Sequence, residues 1–282
     1  MEIIHTQSAL KELLLPVKKR KSKVALVPTM GALHKGHLSL IEIALQHAEV
    51  VVCSIFVNPT QFTDPKDLER YPRPLEHDIA MLKEAGCSVV FMPKVTEMYP
   101  QYPHPEDWHI DLGSAEFLLE GEFRKGHYQG VTQIVKKLFD AVDPDVAFFG
   151  QKDFQQVLMI KNMVRSFNLD IEIITCPIIR EEDGLAMSSR NIHLSSKDRE
   201  NALILNVALK YVHANYRQLT VIQLLAKARE MIGGVDGVEL DYFTIANRTS
   251  LLPIDQDIAG DAVALVAATV GGTRLIDNML LE

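Results

Sequence analysis

Short runs in which nearly every residue is apolar recur along this chain, separated by segments whose apolar residues return every third or fourth position. Val24-Ala25-Leu26-Val27 reads as a buried strand, and Leu38, Ile41, Leu45 and Ala48 then mark one face of a helix. The run Val50 to Val57 follows as a second strand, so the chain opens with a β-α-β unit. The pattern repeats with a helix over Glu76 to Ala85 and a strand over Ser88 to Met92. A looser, proline-containing stretch from Pro93 to about Trp108 interrupts it. Val131, Ile134, Val135, Leu138, Phe139 and Val142 then give the clearest helical stripe of the chain. Strand Val146 to Phe149, a helix with Val157, Ile160, Val164 and Phe167 on one face, and strand Ile171 to Ile174 complete the series. Continuous β-branched runs alternating with amphipathic helices predict a parallel sheet covered on both faces, a doubly wound α/β fold.

Beyond Arg190 the pattern changes. Ser195 and Asp198 form a capping signal for a helix running to about Asn215, and a second helix is expected over Val221 to Met231. Strands are expected at Val238 to Ile245 and Ala262 to Val270. The expectation is therefore a Rossmann-like domain over residues 1–185 and a smaller α+β domain over 186–282 that acts as a lid, joined within 176–190.

Composition narrows the setting. A chain of 282 residues buries a core without staples. Its three cysteines, Cys53, Cys87 and Cys176, sit in apolar surroundings and read as small buried hydrophobes of a reducing compartment. No run approaches the roughly 18 apolar residues of a membrane span, and the N-terminal stretch has its basic cluster after its apolar segment, unlike a secretory signal; the expectation is a cytoplasmic protein. The net charge of -8 argues against a nucleic-acid or membrane partner, and the basic run Lys18 to Lys21 with Lys23 reads as a solvated turn. Any anion must be caught by a local site.

Ligands of open parallel sheets bind outside the carboxyl ends of the strands. Four polar clusters fall there: Met30 to His37, Asn58 to Phe62, Gly150 to Asp153, and Met187 to Arg190. In the first, Gly31 and Gly36 permit close approach to a ligand, and free N–H groups at the following helix start, with the imidazoles of His34 and His37, suit phosphate oxygens. From this cluster alone, a turn without a ligand stands level with a phosphate cradle; a zinc site lacks a third ligand. Asn58 and Gln61 offer amides to a small polar substrate or simply end a strand. Lys152 is a mobile cation for phosphate or a solvated lysine at a helix start, and Gln156 lies a helical turn on. Ser188, Ser189 and Arg190 offer two hydroxyls and a guanidinium fork, or a capped turn. No G-x-S-x-G, no cysteine with a neighbouring histidine and no GxxxxGK[ST] is present, so the inventory donates hydrogen bonds and positive charge but supplies no covalent nucleophile.

His34-Lys35-Gly36-His37 after a first strand, with a late Met187-Ser188-Ser189-Arg190, resembles the HIGH and KMSKS signatures of the nucleotidylyltransferase and class I aminoacyl-tRNA synthetase superfamily. Within it, VPTMGALHKGH, FVNPTQF, FFGQKDFQQ, DGLAMSSRN and the C-terminal GGTRLIDN are similar to the pantoate-β-alanine ligase family over nearly the whole chain. The resemblance implies ATP along Met30, Gly31, Ala32, Leu33, His34, Lys35, Gly36 and His37, with Gly150, Gln151, Lys152, Asp153, Ile179 and Met187 to Arg190. It implies pantoate at Gln61 and Gln156 near Asn58, β-alanine at Gln61, magnesium carried on the ATP phosphates, and a homodimer. His34, His37, Lys152, Ser188, Ser189 and Arg190 carry the catalytic expectation, the histidines as donors to phosphate. No protein metal ligand is expected. Thr60, Tyr128 and Gln129 receive no duty, and Pro100 to His109 matches no motif, with Trp108 read as local packing. Two rivals stay open: another adenylyltransferase of the superfamily and a non-catalytic nucleotide-binding regulator.

Overall fold

The structure is a computed structural model that describes residues 1–104, 106–256, 258 and 260–282. Six strands, β1 (Glu2–Ile4), β2 (Val24–Thr29), β3 (Val50–Ile55), β4 (Val89–Phe91), β5 (Val146–Gly150) and β6 (Glu172–Cys176), form one parallel sheet in the order β1-β4-β3-β2-β5-β6. The chain runs from β2 outward through β3 to β4, then returns to the other side of β2 to place β5 and β6. The switch point of this doubly wound sheet is therefore the gap between the carboxyl ends of β2 and β5, where such sheets bind ligands.

The helices of this part are α1 (Gln7–Lys19), α2 (Lys35–Ala44), α3 (Pro65–Arg70), α4 (Leu75–Glu84), α5 (Val95–Met98), α6 (Glu120–Phe123), α7 (His127–Val142) and α8 (Phe154–Ser166). Ala25 and Val27 of β2, Val51 and Cys53 of β3, and Val146 and Phe148 of β5 share one apolar cluster with Leu40, Ile41 and Ala44 of α2 and Leu82 of α4. All of these residues are at least nine-tenths buried, which seats α2 firmly on the sheet and fixes where its N-terminus emerges. The three thiols are buried, and burial raises Cys53 well above its ordinary value and Cys87 and Cys176 to about 11.

After β6 come α9 (Ser196–Asn215), α10 (Val221–Gly233) and three long strands, β7 (Val238–Asn247), β8 (Ala262–Val270) and β9 (Thr273–Leu281), which form an antiparallel sheet in the order β7-β8-β9. Leu205, Leu209 and Val212 of α9 and Leu224, Ala228 and Ile232 of α10 share a second core with Phe243, Ile245, Ala264 and Val266. The expected fold class, a parallel doubly wound sheet with a smaller α+β part, is the one observed.

The chain forms two compact units, Met1–Gly150 with Gln156–Pro177, and Gln151–Gln155 with Ile178–Glu282. The second unit begins at Ile178, upstream of the division at 185/186 expected from the sequence, and it also takes in a short turn that follows β5.

The elements β1, α1, α3, α5, α6 and β9 have no counterpart in the sequence reading. Strand β1 is only three residues long, α1 carries Pro16 in its interior, and β9 holds a charged and amide pair in its middle. The basic run starts in the last turn of α1, where Lys18 is bound to Asp143, and continues as the exposed turn expected of it at Arg20 and Lys21. Pro100 to His109, of which residue 105 lies outside the described set, is irregular chain lying on α7. Trp108 Nε1 donates to Thr132 Oγ1 (3.3 Å), and its ring lies 5.8 Å from that of Phe167.

Candidate active site

At the end of β2, Thr29 Oγ1 donates to the Ser54 carbonyl (2.6 Å) and accepts from Gly31 N–H (3.1 Å). The backbone then turns through Gly31 (φ +80°) and Ala32 (φ +50°). A Cβ at Gly31 would lie 2.9 Å from Asp78 Oδ2 and 3.0 Å from Ile55 Cγ2, so only glycine fits. Asp78, projecting from α4 and 1 % exposed, accepts from Ala32 N–H with Oδ2 and from Leu33 N–H with Oδ1, each at 2.8 Å. Bonds from N–H groups to a buried carboxylate are of the strong, charge-assisted kind.

His34 is the N-cap of α2 and His37 its third residue. His34 Nδ1 accepts from Gly36 N–H (3.1 Å), and His37 Nδ1 accepts from His34 N–H (3.3 Å). The two rings lie 4.1 Å apart and are half-buried. This corrects the expectation of free backbone donors at the helix start, because the N–H groups from Gly31 to His34, and that of Gly36, already have partners. What the turn offers instead is imidazole. With Nδ1 accepting from the backbone, the proton of each neutral ring resides on Nε2.

After β3, the Pro59–Gln61 turn places Asn58 and Gln61. Asn58 is 1 % exposed, and all four of its hydrogen-bonding positions are occupied. Nδ2 donates to Gln61 Oε1 and to the Gly130 carbonyl (both 3.1 Å), and Oδ1 accepts from Tyr99 OH (2.8 Å) and Thr60 Oγ1 (3.2 Å). Burial pushes the Tyr99 phenol up to about 12, so it remains a donor. Asn58 therefore has no capacity left for a substrate, contrary to its expected role as a ligand. It instead fixes the Gln61 amide with Nε2 as the outward donor, 3.0 Å from Met30 Sδ. His127 Nδ1 lies 2.8 Å from the Gln61 carbonyl, and a Cβ at Gly130 would come within 2.3 Å of the Thr60 carbonyl, so α7 presses directly on this turn. Gly150 ends β5 and Gln156 lies in the first turn of α8, half-buried.

The second unit carries the remaining candidates. Gln151–Asp153 form a 3₁₀ turn in which Lys152 is half-buried, and among the described residues its ammonium has no carboxylate partner. Met187 N–H donates to the Ile179 carbonyl (3.0 Å), closing a hairpin whose neck is the Arg180 and Ala186 bridge. Ser188 caps the Ser189–His193 3₁₀ turn, its Oγ accepting from Arg190 N–H (3.3 Å), and Ser188, Ser189 and Arg190 are all half-buried.

Sequence reasoning passed over Asp78, Tyr99 and the partners of Lys152's turn. Asp78 carried no local signal: it sits in an ordinary amphipathic helix and acts on a loop far upstream. The GGTRLIDN motif, which carries Asp277 and Asn278, has no duty legible from the sequence.

Chemistry gathered at the switch point of a parallel doubly wound sheet defines an α/β protein that binds its ligand, typically a nucleotide, beyond the strand ends. Comparison with known proteins narrows this. The family model for Pantoate-beta-alanine ligase matches residues 2–280. Pantothenate synthetase of Bacteroides fragilis is 44% identical over 280 residues, covering 99% of this chain and 98% of that protein. The crystal structure of pantothenate synthetase from Thermus thermophilus superimposes with a TM-score of 0.92 at 40% identity, covering 100% of this chain and 99% of that one. The ligase from Francisella tularensis, solved with β-γ ATP and β-alanine, has a TM-score of 0.80 at 34% identity, covering 99% and 97%. The chain belongs to the pantoate-β-alanine ligase family.

Proposed function

We propose that this chain joins (R)-pantoate to β-alanine at the expense of ATP, through a pantoyl-adenylate intermediate, with release of pyrophosphate and then AMP. In the first step a pantoate carboxylate oxygen attacks the α-phosphorus and pyrophosphate leaves. In the second, the β-alanine nitrogen attacks the acyl carbon and AMP leaves, the amine giving up its proton. The substrates supply both nucleophiles, so the protein's task is to bring two anions together and stabilise the phosphorus centre.

ATP, entering as its magnesium complex, is assigned to Met30 through His37, Gly150 through Asp153, Ile179 and Met187 through Arg190. The observation that carries the assignment is the cap of α2, where His34 Nδ1 accepts from Gly36 N–H and His37 Nδ1 from His34 N–H, which fixes both rings just beyond β2 in the tautomer that donates through Nε2. Lys152 brings a cation with no carboxylate partner among the described residues, and Ser188, Ser189 and Arg190 bring hydroxyls and a guanidinium. Gln61 and Gln156 hold pantoate, and Gln61 meets β-alanine later. Asn58 acts through Gln61, whose amide it orients. None of these pantoate contacts adds charge to an already anionic pair.

A cytoplasmic location fits the three buried thiols, and a homodimer belongs to the same reading, checked by light scattering. Among the described residues no helix is long and apolar enough to cross a membrane. The deciding measurement supplies magnesium, ATP and pantoate, then β-alanine. Pyrophosphate is expected with pantoate alone, and AMP and pantothenate only once β-alanine is added. Pyrophosphate release with a phosphorylated acceptor but not with pantoate would establish the rival adenylyltransferase, and ATP binding without turnover the regulator.

A further inference from the structure

The consecutive pair Asp277-Asn278 lies in the middle of β9, yet both side chains are buried, at 5 % and 2 % exposure. Neighbouring residues of a strand point to opposite faces, so a polar residue buried on each face needs a partner on each. Both partners belong to the candidate active site. Asn278 Nδ2 donates to the Gln151 and Lys152 carbonyls, each at 3.0 Å, and Asn278 Oδ1 accepts from Gln151 Nε2 (3.1 Å). Its whole amide is thus committed to the turn that bears Lys152.

Asp277 takes the other side. It forms a two-pronged pair with Arg180, Nη1 to Oδ2 at 2.6 Å and Nη2 to Oδ1 at 2.9 Å, and its Oδ1 also accepts Asn278 N–H (2.8 Å). Arg180 Nη1 donates onward to the Gly184 carbonyl (3.2 Å), inside the hairpin that leads to Met187 through Arg190. One strand therefore holds the Lys152 turn through one residue and the Ser188–Arg190 approach through the next. This explains why Gln151–Gln155 belong to the second unit although the chain enters them directly from β5.

We infer that Asn278 is a positioning residue for adenylate formation, fixing the backbone on which Lys152 is carried, with the Asp277 and Arg180 pair anchoring the strand from its other face. The inference rests on the assignment of Lys152 to the phosphates of ATP. A lysine side chain is a long, flexible stem, so the placement of its ammonium depends on the rigidity of its backbone.

Pantoate-dependent exchange of pyrophosphate into ATP reads the first step alone. Asn278→Ala is expected to lower its kcat about tenfold, with the KM for pantoate within about twofold of the parent. In a Lys152→Ala background the same substitution is expected to change the rate by less than about twofold, because a turn that no longer carries the cation has nothing to position. A purely structural role would reduce the folded fraction equally in both backgrounds, and the losses would multiply. Multiplying losses, or full exchange activity in Asn278→Ala, overturn the inference. Should Asn278→Ala fail to fold, the isosteric Asn278→Asp, which sets a carboxylate oxygen against the two carbonyls, is read in the same cycle with the same criteria. Full exchange in Lys152→Ala removes the assignment of Lys152 itself and the brace with it. Loss in Lys152→Ala with none in Asn278→Ala removes only the brace.

Discussion

The turn of His34 and His37 and the turn of Lys152 are held in opposite ways. The first is largely its own support, since each histidine Nδ1 caps a backbone N–H within three residues, and Asp78 reaches in from α4. The second has its two carbonyls and the Gln151 amide held by a single residue near the far end of the chain. A rigid imidazole needs only a local frame to aim its Nε2–H. A flexible ammonium needs its backbone pinned, and a three-residue 3₁₀ turn has too few internal bonds to pin itself.

Removing the Asp78 support of the histidine turn is the harshest test of the contrast. Asp78→Ala leaves two buried N–H groups unpaired at about 1–3 kcal/mol each, so a loss of about 4 kcal/mol is expected in urea unfolding. Asp78→Asn, which keeps one acceptor, is expected to lose about half of that. The next contrast separates the turns by what each side chain supports. His34→Ala is expected to lower adenylate formation about a hundredfold and also to cost about 1 kcal/mol of stability, because the cap on Gly36 goes with the donor. Lys152→Ala is expected to give a similar hundredfold loss with the melting temperature unchanged, since its ammonium has no carboxylate partner among the described residues. Equal destabilisation by the two would erase the distinction.

The smallest effect concerns the apolar cluster beneath the histidine turn, which contains all three thiols. Burial raises Cys87 from 9.0 to about 11. Between those values the unfolded chain releases the proton while the folded chain keeps it, so stability falls as pH rises from about 9 to about 11, by about 2 kcal/mol for this group. Cys87→Ala is expected to flatten that part of the stability profile in urea titrations across the range, and an unchanged slope would count against the burial of the thiol.

The doubly wound half was legible because its signals are local and redundant. Val24 to Val27 and Val50 to Cys53 are continuous apolar runs, and Val131 through Val142 keep a helical period over a helix four turns long. Two of the elements that escaped break their own pattern. Pro16 interrupts the helical reading of α1, and Asp277-Asn278 put polar residues where β9 is buried. The site divides along the same line. His34-Lys35-Gly36-His37 and Met187 to Arg190 are visible as compact motifs, whereas Asn58 looked like a ligand because its residue type suits one, and only its four occupied hydrogen-bonding positions gave it another place.

Taken alone, the sequence determined the class of fold, the strand ends where chemistry gathers and the family to which the chain belongs, since each depends on periodicities and motifs contained in short stretches. The tertiary structure alone decided that Asp78 and Asn278 brace the two turns and that Asn58, held by Tyr99 and the Gly130 carbonyl, orients Gln61. Those outcomes depend on hydrogen bonds between residues distant in sequence, and a buried donor or acceptor takes whichever partner the fold brings to it.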